Sequence, residues 1–219
     1  MFESKDYLDL THTIAGELFD KVAYPWEALK DIGDFISRIG PELDPEIYEF
    51  KGNNVWIAKS AKVFDSAYIG SNVIIGPDAE VRHCAFIRGN AIVGANAVVG
   101  NSTELKNVIL FDNVQVPHYN YVGDSVLGYK AHMGAGSITS NVKSDKTLVV
   151  VKYEGGQIET GLKKFGAIVG DFVEVGCGSI LNPGTVVGRN SRIYPLSSVR
   201  GFIPADSVYK KAGEIANIE

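Results

Sequence analysis

The chain has 219 residues, 45% hydrophobic and 21% charged, which is enough to bury one sizeable core and excludes a disordered or membrane-embedded polymer. A formal net charge of −5, from 21 basic and 26 acidic residues, provides no overall basic field for nucleic acid or an anionic bilayer, so any anionic ligand must be met by local charges. The two cysteines, Cys84 and Cys177, lack the CxxC spacing of a structural zinc site and are too few for a disulfide framework, which points to a reducing compartment.

Met1 to Leu10 carries Glu3, Asp6 and Asp9 and no apolar core of the signal-peptide kind, and no run of about 18 apolar residues occurs anywhere, so a cytoplasmic location is expected. Residues 1–50 read as a helical N-terminal segment. Pro25 suits a first helical turn, and Trp26, Leu29, Ile32, Ile36 and Ile39 form one apolar stripe, ending near Gly40 and Pro41, that is expected to pack on the rest of the chain as a lid or brace.

From Ile57 an apolar residue recurs at every sixth position, through Val63, Ile69, Ile75, Val81, Ile87, Val93, Val99, Leu105, Phe111 and Pro117. The frame then skips one residue, Val122 being followed five later by Leu127, and continues at Met133 and Thr139. It returns at Val169, Val175, Leu181, Val187, Ile193 and Val199. Glycine often follows the apolar slot, at Gly70, Gly76, Gly94, Gly100, Gly170, Gly176 and Gly188, where a tight corner is needed. A period of six makes each hexapeptide a short strand plus a turn, and three hexapeptides make a triangular coil. Stacked at ~4.8 Å, about seven such coils over residues 51–203 form a prism about 33 Å tall. The class is therefore an all-β solenoid, a parallel β-helix. Between the two stretches, 144–165 reads as an inserted hairpin: Leu148 to Val151, a turn at Glu154, Gly155, Gly156 and Gln157, then Ile158. The tail, 204–219, is expected as a short helix capping the last coil.

The densest polar constellation is His118-Tyr119-Asn120-Tyr121-Val122-Gly123-Asp124, followed by Gly134-Ala135-Gly136-Ser137-Ile138-Thr139-Ser140-Asn141. This pattern resembles that of the hexapeptide-repeat acyltransferases, in particular the acetyltransferase domain of the bifunctional enzymes that acetylate glucosamine-1-phosphate and then make UDP-N-acetylglucosamine. Arg88 and Lys106, thirty and twelve residues before His118, fit the same family spacing. Lys163 to Ala167 and Asn182-Pro183-Gly184 look more like the archaeal branch. The resemblance covers about residues 50–205, and the pyrophosphorylase domain with its glycine-rich nucleotide loop is absent from it.

The resemblance implies a left-handed winding, acetyl-CoA as co-substrate, an amino-sugar phosphate such as glucosamine-1-phosphate as acceptor, and a homotrimer with sites between subunits. His118 matches the general base, and a neutral imidazole is suited to accept the amine proton near pH 7. Arg88 and Lys106 match residues that hold the phosphate, and Tyr121 and Asn141 match residues that touch the sugar. Ala135, with Gly134 and Cys177, matches the acetyl-CoA contacts. His132 and Cys177 stand where bacterial members carry Asn and Ser, and the family lysine after Asn141 has two displaced candidates, Lys143 and Lys146. No nucleic-acid or membrane partner and no resident metal is implied. Two other readings use the same prism: a non-catalytic solenoid that binds a sugar nucleotide or a partner, and a γ-carbonic-anhydrase-like zinc enzyme using His83, His118 and His132. The last two histidines are 14 apart, not at the H-x4-H spacing of those enzymes.

Overall fold

An apolar side chain at every sixth residue is buried only if successive hexapeptides turn through three faces and return into register. The computed structural model, which describes residues 2–211 and 214–217, shows that register directly. On face 1, Ile57, Ile75, Val93, Leu110, Leu127, Val169, Val187 and Ile203 are successive parallel partners. Face 2 stacks Val63, Val81, Val99 and Val116, then Met133, Val175, Ile193 and Tyr209. Face 3 stacks Ile69, Ile87, Leu105, Val122, Thr139, Leu181 and Val199. The architecture is a left-handed parallel β-helix.

Two inward positions differ from the hexapeptide count. Leu110 and Val116, not Phe111 and Pro117, fill the slots after Leu105, because the coil loses one residue at the corner there and again after Val122. Phe111 is still fully buried, but on the corner, where its ring meets Phe19 at 5.9 Å between centroids.

The three faces differ on their outer sides. Face 1 presents Ile74, Ile92, Ile109, Val126, Ile168 and Val186 outward, and all six are fully buried. Their cover is the N-terminal segment, which runs down face 1 against the winding of the prism. Phe2 rests on Phe202 and Tyr153, Trp26 on Phe165, and the helix Ile32–Ile39 on the strands that carry Ile74, Ile92 and Ile109. Polar ties fix the register: Asp171 N donates to Tyr7 O, Asp171 Oδ2 accepts from Asp9 N at 2.7 Å, and Asn107 Nδ2 donates to Leu29 O at 3.1 Å. The expected helical stripe is split between a 3-10 turn, Pro25–Lys30, and the α-helix Ile32–Ile39, and both bury it against the prism.

The hairpin pairs Val150–Tyr153 with Gly156–Glu159 and lies against the upper coils of face 1. In place of a capping helix over 204–219, the described residues form an antiparallel pair, Ser207–Lys211 with Glu214–Asn217. Tyr209 takes the next inward slot of face 2, so the tail continues the ladder; along Ser207, Val208, Tyr209 and Lys210 it is burial that alternates at strand period, with Ser207 and Tyr209 inward. Among the described residues no helix is long and apolar enough to cross a membrane.

Candidate functional site

At the corner between faces 2 and 3, each coil hands a backbone hydrogen bond to the one below: Tyr119 N to Asn101 O, Gly136 N to His118 O, Gly178 N to Ala135 O and Leu196 N to Cys177 O. His118, Ala135 and Cys177 are consequently stacked in consecutive coils at ~4.8 Å steps, all solvent-exposed. The expected base and two of the expected acetyl-CoA contacts thus share one corner. Among the described residues nothing accepts from the Ala135 or Cys177 amide, which leaves two stacked N–H donors on the same edge. Gly134 is required beneath them, since a Cβ there would sit 2.6 Å from Cys177 N. Asn120, only 2% exposed, ties the two turns together. Its Oδ1 accepts from His118 N at 3.1 Å, and its Nδ2 donates to Gly134 O at 2.9 Å and Ser137 O at 3.0 Å.

The other candidate residues converge on the corner between faces 3 and 1. Its left-handed position is Asn54, Asn72, Asn90 and Asn107 in successive coils, each with φ between 48° and 58°, a conformation asparagine tolerates. In the next coil that position is Asp124, at φ 47°. Its carboxylate accepts from Lys106 Nζ at 2.8 Å, from Asn107 Nδ2 at 3.0 Å and from Asn141 Nδ2. The Asp124 side chain is 5% exposed and that of Lys106 26%, so the pair is only partly desolvated and the ammonium keeps a face open to a ligand. Asn141 also donates to Tyr121 Oη at 3.2 Å, while Arg88 Nη1 pairs with Glu104 Oε1 at 2.9 Å. Burial first, then the Asp124 and Glu104 carboxylates, push the Tyr121 phenol up, so it remains a donor at neutral pH. The missing residue after Leu105 is what brings Lys106 into line with Gly123, whose absent side chain would collide with Tyr121 Oη at 2.5 Å.

Tyr121, on the outer side of face 3, lies between the two corners, three residues from His118 and hydrogen-bonded to Asn141. Of the displaced lysines, Lys143 lies in a cleft beside Asn182, whereas Lys146 is exposed at a turn with φ 61°. His132 pairs with Glu174 at 2.7 Å in mid-face 2, and His83 lies tilted against Phe64, 4.2 Å between ring centroids, two coils from His118. Among the described residues no three His, Cys, Asp or Glu side chains are grouped to hold a metal, so one chain offers the zinc reading no ligand set. Asn120 and Asp124 are the residues that sequence reasoning left without a role, although both stand inside the motif.

The sequence profile described as the GMPPB C-terminal domain matches residues 77–187. Over 196 residues the chain is 37% identical to the bifunctional protein GlmU of Methanococcus maripaludis, covering 88% of this chain and 47% of that protein. A bifunctional sugar-1-phosphate nucleotidylyltransferase/acetyltransferase of Sulfurisphaera tokodaii is 36% identical over 97 residues, 44% of this chain and 24% of its own length. The chain thus spans less than half the length of these relatives. Among solved structures, a hexapeptide transferase family protein from Anaplasma phagocytophilum matches with 15% identity and a TM-score of 0.43, covering 76% of this chain and 81% of that one.

Proposed function

The chain belongs to the family of the GMPPB C-terminal domain, and from that premise we propose that it is an acetyl-CoA-dependent N-acetyltransferase acting on an amino-sugar phosphate, glucosamine-1-phosphate being the simplest acceptor. The observation that carries the reading is the stacking of His118, Ala135 and Cys177 on one corner, with Tyr121, Asn141, Asp124 and Lys106 across the adjoining face. The similarity to the GlmU and nucleotidylyltransferase/acetyltransferase proteins supports the same chemistry.

In this reading the acceptor phosphate lies at Arg88 and Lys106, exchanging for or sharing their contacts with Glu104 and Asp124. Tyr121 and Asn141 hold the sugar, and the amine reaches His118. Acetyl-CoA runs along the corner past Ala135, with Gly134 below giving room and Cys177 one coil further on. The amine nitrogen attacks the thioester carbonyl carbon; a C–N bond forms, the C–S bond breaks, and the thiolate leaves with the electron pair. His118 takes the nitrogen's proton and returns it to the thiolate or to solvent. The free amides of Ala135 and Cys177 donate to carbonyl oxygens of the thioester and its arm. With face 1 covered, faces 2 and 3 are left for two neighbouring copies of a trimer, and the site lies on that uncovered side.

The test is thiol release from acetyl-CoA with glucosamine-1-phosphate, for the wild type and for His118→Ala. Release by the wild type and its loss by a factor of about 100 or more in the variant is the expected result. Equal turnover by a folded His118→Ala protein removes the base assignment.

A further inference from the structure

Just above the acceptor corner the chain leaves the prism after Asn141 and returns at Phe165, whose N–H donates to Asn141 O. The excursion encloses a cleft of about 310 Å³ lined by Ser140, Lys143, Asp145, Asn182, Pro183 and Arg200. A recess of about 70 Å³ shares Lys143, Pro183 and Arg200 and adds Lys152 from the hairpin. Thr139 and Leu181 are register partners, which sets Asn182 directly over Ser140, so the cleft adjoins Asn141.

The wall that carries Lys152 is held by close backbone approach. A Cβ at Gly184 would meet Val150 O at 2.4 Å and one at Gly201 would meet Lys152 O at 2.6 Å, and both glycines have positive φ. Lys152 is therefore delivered beside Arg200 by a strand packed on the coils.

The charges in this cleft are poorly compensated. Lys143 lies 3.5 Å from Asp145 and also donates to Thr147 Oγ1. Arg200 Nη2 donates only to Asn182 Oδ1, at 3.1 Å, and among the described residues neither Arg200 nor Lys152 has a carboxylate at ion-pair distance. Elsewhere on the prism Arg82, Arg88, Lys106 and Arg189 all do. Two adjacent unpaired cations in a chain of net charge −5 are placed for an anion that is not part of the chain.

We propose that this cleft is a second anion subsite, distinct from the Arg88–Lys106 corner, that takes a phosphate or diphosphate group. Arg200 supplies a planar fork of donors and Lys152 a point charge. Two molecules could bring that group: the phosphorylated adenosine end of the acyl donor, or the diphosphate of a nucleotide-linked amino sugar. Their link to the reaction rests on the function proposed above; the subsite does not.

The experiment is calorimetric titration of the full chain with inorganic pyrophosphate at low ionic strength. Arg200→Gln and Lys152→Gln, both at exposed positions, are each expected to weaken binding about tenfold. The double variant Arg88→Gln/Lys106→Gln is expected to keep it. Adenosine 3′,5′-bisphosphate displacing pyrophosphate identifies the donor as the source, and uridine diphosphate displacing it identifies the acceptor. No binding by the wild type, equal binding by both single variants, or displacement by neither nucleotide overturns the proposal. The readout is binding alone, so a silent acetyl-transfer assay leaves it intact.

Discussion

Asn120 and Asp124 shape the two corners from underneath: Asp124 accepts from three side-chain donors, and Asn120 accepts from one backbone N–H while donating to two carbonyls. Removing the Asn120 amide strands Ser137 O in a buried turn and takes one of three donors from Gly134 O, so Asn120→Ala is expected to cost about 1–3 kcal/mol in denaturant unfolding. Tyr121 gives a spectroscopic check. Its phenol is held above the ordinary value of 10.0, so its contribution to stability is complete below that pH and is lost as pH rises through the higher native value. An ultraviolet titration should show the same number of tyrosines ionising near pH 10 in the wild type and in Tyr121→Phe; one fewer in the variant would contradict the buried, carboxylate-flanked environment. His118, Arg88, Lys106, Tyr121 and Asn141 stand out in the sequence because they match the motif of the family that the chain resembles. Asn120 and Asp124 do not, because whether a polar residue in a turn is buried depends on the coil stacked above it, which a hexapeptide count does not contain.

Between residues and the whole prism, the telling pattern is the outer side of face 1. The residue before each inward slot is apolar there, Ile74, Ile92, Ile109, Val126, Ile168 and Val186, whereas the equivalent positions of face 2 include Lys62, Glu80, Gln115, His132, Glu174 and Arg192. That contrast is present in the sequence with a period of a whole coil, but stepping in sixes averages the three faces and hides it. It also explains why the N-terminal stripe docks where it does. Ile92→Ala, though outside the prism, should therefore behave as a core substitution and cost about 2–5 kcal/mol in thermal or denaturant melts. A loss near zero would mean that the N-terminal segment does not cover it. The corner slip after Leu105 escapes the same count because Phe111 and Pro117 are themselves apolar, so the shifted frame still reads as a hit. The tail departs from the expected helix for a related reason: a short polar-rich segment carries little periodicity apart from the ladder that it continues.

Across the whole molecule, a β-helix ordinarily bonds each coil only to its neighbours, and its ends can fray independently. Here the first residues are fastened to the last coils: Phe2 meets Phe202 at 5.2 Å, and Asp9 N bonds Asp171 at 2.7 Å. Hydrogen exchange should reveal the coupling. Phe2→Ala is expected to speed exchange of amides in Val186 to Ile203 as well as in its own segment, while an effect confined to the first residues would show the coils to be independent.

That fastening also has a consequence in time. A solenoid can in principle be wound coil by coil as it leaves the ribosome, but Phe2 cannot seat until Phe202, far downstream in the chain, has been made. Until then the outer row of isoleucines and valines on face 1 lacks part of its cover. Docking of the segment that holds Phe2 is therefore a late step of folding, although it lies upstream of every coil it covers.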